Sequence, residues 1–122
     1  MDADFNELVG KTLNSIDIND SKDEIKFTCS DGTIYIMYHV QDCCEDVKIE
    51  DITGDLEDLI GSEISMAEES TGECKECDDS GTWTFYKLAT STGYVTIRWL
   101  GESNGYYSES VTFERSVCLK DE

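Results

Sequence analysis

His39-Val40-Gln41-Asp42-Cys43-Cys44-Glu45 brings an imidazole, two thiols and two carboxylates together in one short run. A second chemical pair follows in Cys74-Lys75-Glu76-Cys77. A C-x-x-C in a loop supplies two thiolates to one tetrahedral ion, and a histidine four residues from a cysteine reaches a common ion as well. His39, Cys43, Cys74 and Cys77 together form a three-cysteine, one-histidine set, the donor chemistry of a structural zinc site. Cys44 stays outside this set because adjacent side chains diverge. The same residues admit a plainer reading. Cys43 or Cys44 is then a small buried residue, and Cys74 and Cys77 are free loop thiols or a disulfide. A third reading makes Cys43 or Cys44 a nucleophile, with His39 as its base and Asp42 or Glu45 orienting the imidazole. A reactive thiolate needs positive surroundings, and this neighbourhood is strongly negative, so the sequence leans away from catalysis. The C-x-x-C follows no βαβ pattern, which sets aside a thioredoxin-like role. Neither a calcium-loop spacing nor a glycine-rich phosphate loop is present.

The chain has 28 acids against 9 Lys and Arg, a formal charge of −19. Fifteen of the acids and only two bases fall in residues 42–79, whereas residues 80–122 are close to neutral. Such a surface repels nucleic acid and anionic membrane, since both are bound through Lys and Arg. It attracts and steers basic protein surfaces instead. The expected partner-binding residues are therefore Glu45, Asp46, Glu50, Asp51, Asp55, Glu57, Asp58, Glu68 and Glu69. The bland alternative is a solvated face that keeps the protein soluble.

The elements that must position these groups read as mainly β within an α+β class. The expectation is one domain over 1–122, an antiparallel twisted sheet of hairpins with two short helices. Asp4-Phe5-Asn6-Glu7 fits a capping box before one helix. Leu56, Leu59 and Ile60 give the helical period of the other. Strands are expected over 13–18, 47–52, 82–90, 94–100 and 110–117 and a hairpin over 24–40, with 64–67 as a further candidate strand. Residues 68–81 lack apolar periodicity and read as an exposed acidic loop. Ser30-Asp31-Gly32-Thr33 reads as a two-residue Asp-Gly hairpin loop. That register pairs Cys29 with Ile34, Phe27 with Ile36 and Ile25 with Tyr38. It sends Ile34, Ile36 and Tyr38 to the core, and Tyr35, Met37 and His39 to the opposite face. Eight of the twelve aromatics lie in 83–113, as expected of a sheet packed on both sides. Tyr106 and Tyr107 lie beside the Asn104-Gly105 turn, either alternating on a strand or forming a contact surface.

No apolar run is long enough for a membrane helix, and no signal sequence is visible. The expectation is a reducing, cytoplasmic setting in which cysteines remain thiols.

Beyond these patterns lie longer runs: Ile49-Glu50-Asp51-Ile52, Gly54-Asp55-Leu56-Glu57-Asp58-Leu59-Ile60-Gly61 and Met66-Ala67-Glu68-Glu69. Thr82-Trp83-Thr84-Phe85-Tyr86-Lys87-Leu88-Ala89-Thr90, Gly93-Tyr94-Val95-Thr96-Ile97-Arg98-Trp99 and Ser103-Asn104-Gly105-Tyr106-Tyr107-Ser108-Glu109 follow. With the His39–Glu45 run, they resemble a family of small uncharacterised proteins encoded mostly by tailed bacteriophages. The likeness covers roughly residues 10–115 and departs in the 70–80 segment, so it does not carry Cys74 and Cys77. It implies a phage accessory protein in bacterial host cytoplasm and brings no function with it. Joined to the charge, it suggests a DNA mimic that inhibits a host nucleic-acid-binding or defence protein. A zinc-stabilised scaffold and a small cysteine enzyme are the alternatives.

Overall fold

The computed structural model describes residues 3–41, 44–77, 80–105 and 108–117. Its strands are β1 (Leu13–Ile18), β2 (Glu24–Cys29), β3 (Thr33–Tyr38), β4 (Asp46–Thr53), β5 (Met66–Glu73), β6 (Ser80–Ala89), β7 (Tyr94–Ser103) and β8 (Thr112–Val117). They form two antiparallel sheets rather than one. Sheet I has the order β1-β2-β3-β8, and sheet II has the order β4-β7-β6-β5. The apolar face of each buries against the other. Ile25, Phe27, Tyr35, Met37 and Phe113 come from sheet I. Val47, Ile49, Tyr86, Leu88, Val95, Ile97 and Trp99 come from sheet II. Each large side chain buried here contributes about 1.5–3 kcal/mol. The outer face of sheet II carries Trp83, Phe85 and Arg98, half-buried among themselves, with the guanidinium 4.6 Å from the Trp83 ring centre. The aromatic density of 83–113 therefore reflects one buried face and one self-covering outer face, not a sheet packed on both sides. No helix among the described residues is long and apolar enough to cross a membrane.

The β2–β3 hairpin departs from the expected register by one residue. Thr28 pairs with Ile34, Phe27 with Tyr35 and Ile25 with Met37. The turn holds three residues, not two. Gly32 takes φ +92° and donates its N–H to the Cys29 carbonyl at 3.1 Å, and Thr33 N–H donates to Asp31 Oδ1 at 3.0 Å. A left-handed glycine closing a three-residue loop is the bulged hairpin form. Because side chains alternate across a strand, this one-residue change exchanges the two faces of β3. Tyr35 and Met37 enter the core at 1 % and 0 % exposure, while Ile34, Ile36 and Tyr38 are only half-buried.

The two expected helices are single 3-10 turns, Phe5–Leu8 and Leu56–Leu59. Four residues do not repay the cost of helix nucleation, and left-handed Gly10 and Gly61 follow closely behind them. The capping box does not form, since the Asp4 side chain makes no cap. Glu7 instead accepts from the Tyr35 hydroxyl at 3.2 Å and from Arg115 Nη1 at 2.7 Å. Asp55 does cap its turn, accepting from Glu57 N–H at 3.0 Å. Phe5 seals the core, with ring centres 4.6 Å from Tyr86 and 5.3 Å from Phe113.

The segment expected as a loop over 68–81 is a strand as far as Glu73. β5 pairs with β6 in unbroken register from Met66–Ala89 to Glu73–Thr82. It hid from apolar periodicity because beyond Ala67 its side chains face no core. Strand β4, on the opposite edge, carries a bulge at Glu50 between the pairs Ile49–Trp99 and Asp51–Arg98.

Two outcomes test this register. Met37→Ala is expected to cost about 2–5 kcal/mol in urea melts and Ile36→Ala less than half of that; the reverse order would restore the two-residue loop. The Lys11 ammonium, aided by Thr33, holds the Asp31 carboxyl down at about 2, below its ordinary value near ~3.9. This turn contact stabilises above about pH 4 and is lost as pH falls toward 2. The half-exposed pair contributes under about 1 kcal/mol, so the stability gap between wild type and Asp31→Asn should close over that window.

Candidate functional site

One end of the sandwich collects most of the chain's polar chemistry. β3 and β5 end there, β4 and β6 begin there, and Ser103 at the end of β7 pairs with Ser80 at the start of β6. His39 is the next residue after β3 and keeps the inward parity of Tyr35 and Met37. Its side chain is 3 % exposed and that of Glu45 is 0 % exposed. Nδ1 lies 2.7 Å from the Ser110 carbonyl, which only accepts, so Nδ1 carries a proton. Nε2 lies 2.6 Å from Glu45 Oε2, with one proton held between them. Gln41 Nε2 donates to the Glu45 carbonyl at 2.6 Å and fixes the loop behind the pair. Both imidazole nitrogens are thus engaged, and no lone pair remains for a metal or for a thiol proton. The pair ties the entry to β4 in sheet II and the entry to β8 in sheet I to a single ring.

The cysteines are arranged differently from the zinc reading. Cys74 and Cys77 are joined as a disulfide with Cα atoms 5.7 Å apart, and the bridge lies directly over Gly81. Cys44 is also disulfide-bonded. Cys43 lies outside the described residues, as do Asp42, Tyr106 and Tyr107. Among the described residues no three His, Cys, Asp or Glu side chains gather as metal ligands. Cys29 is a buried free thiol that burial, then the nearby Asp31, pushes up, which leaves it inert.

The nine expected partner-binding acids do not share one face. Glu45 is interior. Asp46, Glu50 and Asp51 belong to β4, and Glu68 and Glu69 to β5, on opposite edges of sheet II. Three strand spacings of ~4.8 Å separate those edges by about 14 Å. The β4 group is partly neutralised: Asp46 pairs with Lys48 at 3.7 Å, and Asp51 takes Arg98 in a two-pronged bond of 3.0 and 2.8 Å. Asp55, Glu57 and Asp58 sit on the second 3-10 turn.

The β5 edge is different. Beside it, between sheet II and the segment leading into β8, lies an open groove of about 370 Å³. Thr71, Ser80, Thr82 and Thr84 form its floor, Ser108, Ser110 and Val111 its far wall, and Glu69 and Glu109 supply carboxylates. Glu109 lies on Gly101, where a β-carbon would come within 2.6 Å of the Glu109 carbonyl, so only glycine admits this approach. Burial pushes the Glu109 carboxyl up, but hydroxyls of Ser103, Thr82 and Ser80 outweigh it and hold it below its ordinary value. The Thr82 bond is 2.7 Å long. Glu69 accepts from the Tyr86 hydroxyl at 3.2 Å, and Tyr86 is held protonated by burial and by that carboxylate. Sequence reading missed this groove. Its available signal was Thr82 and Thr84 falling in the same alternation as core-facing Tyr86 and Leu88, which marks a sheet face turning polar toward one end.

Residues 6–113 match the family DUF7448, a domain of unknown function, and the chain belongs to that family. No curated protein and no solved structure matches it.

Removing the imidazole by His39→Ala takes from the buried Glu45 side chain the ring that bonds it at 2.6 Å and is expected to cost about 3–5 kcal/mol in denaturant melts. Replacing both, His39→Leu with Glu45→Leu, should recover most of that loss, because two matched apolar groups need no charge compensation. A double variant as unstable as the single one would show that the pair is not the element holding this end together.

Proposed function

We propose that this DUF7448 protein is a non-catalytic binding protein that engages a basic partner along its β5 margin. The partner we infer is a host nucleic-acid-binding or defence protein, occluded by a surface that imitates the charge of a phosphate backbone. One observation carries the reading. Asp4, Glu68, Glu69, Glu73 and Glu109 flank β5 and its groove, and among the described residues none is in an ion pair. The Lys and Arg side chains that do form ion pairs, Lys11, Lys48, Arg98 and Arg115, pair with other acids. Lys87, in register with Glu68, is the one base on the adjoining strand. An unneutralised row of carboxylates raises encounter rates with a basic surface, and salt weakens that attraction. The resemblance of the motif runs to phage-encoded proteins supports a bacterial host protein as the target.

The test is capture from bacterial lysate at low salt and at about 0.5 M salt, where the Debye length is only a few Å. Enrichment of a basic, nucleic-acid-binding protein that salt reduces is the expected result. Reversing Glu68, Glu69 and Glu73 to Lys should lower its affinity at least about tenfold, while reversing Asp46 and Asp51 should have a smaller effect. Capture unchanged by the β5 reversals would end this reading.

A further inference from the structure

We infer that the partner contributes an extended segment with Lys or Arg at alternate positions, and that this segment adds to sheet II as a fifth strand along β5. The inference rests on the reading of β5 as the binding margin and specifies its mode. β5 closes sheet II on one side, and among the described residues no backbone hydrogen bond leaves Met66–Glu73 except to β6. The first 3-10 turn lies beside Ala67–Glu69, so the open part of the other edge is Ser70–Glu73, whose N–H and C=O groups a peptide strand satisfies directly. Such edges are commonly blunted by bulges, prolines or lysines. Edge strands β1 and β4 each carry a register shift, whereas β5 has none. What it carries is charge, with Glu68, Glu69 and Glu73 exposed and no base on the strand.

The groove supplies the second, independent argument. Side chains of an added strand alternate, so every second one points to the inner side, where the groove lies. Thr84 is 2 % exposed and lines that groove beside Thr71 and Thr82. Among the described residues no Lys or Arg lines the groove. An ammonium or guanidinium entering it meets the Thr84 and Thr71 hydroxyls as acceptors and the Glu69 and Glu109 carboxylates as counter-charge. This combination of donors and charge favours a cationic side chain over an acidic or apolar one.

The experiment titrates the full chain into two fluorescein-labelled octapeptides of equal charge, one alternating Lys and Thr, the other alternating Lys and Pro. Proline cannot supply the strand's N–H groups. The threonine peptide is expected to bind at least about tenfold more tightly and to slow amide exchange across residues 70–73. Thr84→Val should weaken the threonine peptide by about tenfold and leave the proline peptide unchanged. Equal affinity for the two peptides would overturn strand addition while leaving a charge-led surface intact. A threonine preference without exchange protection on β5 would overturn it as well, by locating the strand elsewhere. Binding of neither peptide refutes the inference outright, whereas the binding-protein reading fails only if the β5 charge reversals leave partner capture unchanged.

Discussion

Between the sheets, the indole N–H of Trp99 donates to the sulfur of Met37 at 3.2 Å. A buried indole needs an acceptor, and here a soft thioether is the one that reaches it. That contact exists because β3 presents its odd-numbered residues inward. The same stagger determines what happens one step up and one step down the strand. Tyr35 stacks on Phe113 with ring centres 5.1 Å apart and sends its hydroxyl to Glu7, tying the first 3-10 turn to sheet I. His39 reaches Glu45 and Ser110, tying the entry strands of both sheets together. The Gly32 turn thus sets three contacts at successive heights in the sandwich. A shift by one residue would replace all three with Ile34, Ile36 and Tyr38.

The interior is not apolar from end to end. Its middle is filled by Phe27, Met37, Ile97 and Trp99. Toward the His39 end, the face of sheet II changes to Thr84, Thr82 and Ser103, which sheet I does not cover. Segment 108–111 crosses there instead, lying against Gly101. Glu109 then receives the hydroxyls of Thr82 and Ser103, at 2.7 and 2.5 Å. Hydroxyls turned into an apolar space without partners would be costly. One carboxylate satisfies several of them and keeps the groove polar.

Much of the strand layout was legible, because alternation and turn residues are local. The long β6–β7 hairpin around Ser91-Thr92-Gly93 is an instance, with Thr90 holding the turn amides of Thr92 and Gly93. The β2–β3 register was not legible, because Asp-Gly serves both a two-residue loop and a three-residue bulged one. Only the packing of Met37 on Trp99, sixty-two positions away, decides between them. β5 was hidden for a related reason: an edge strand facing a groove needs no apolar alternation. The His39 and C-x-x-C motifs were visible as residues but not as contacts. Imidazole chemistry depends on what occupies each nitrogen, and Glu45 and Ser110 reach His39 from separate elements.

The acidic block shows most clearly how topology changes the meaning of a sequence feature. β4 and β5 are consecutive strands along the chain, yet the β6–β7 hairpin inserts between them and drives them to opposite edges. A charge run continuous in sequence is therefore divided in space. On the β4 side it meets Lys48 and Arg98, and a bulge at Glu50 already disrupts the edge. On the β5 side, among the described residues, no Lys or Arg forms an ion pair with it, and the edge is regular. A regular open edge invites pairing with another copy of itself. Here such pairing would bring Glu68, Glu69 and Glu73 against the same residues of the second copy, and like charges placed across a strand pair repel. The carboxylates that keep β5 from pairing with itself are the same ones that favour a strand of opposite charge, so protection of the edge and selection of its partner arise from one set of side chains.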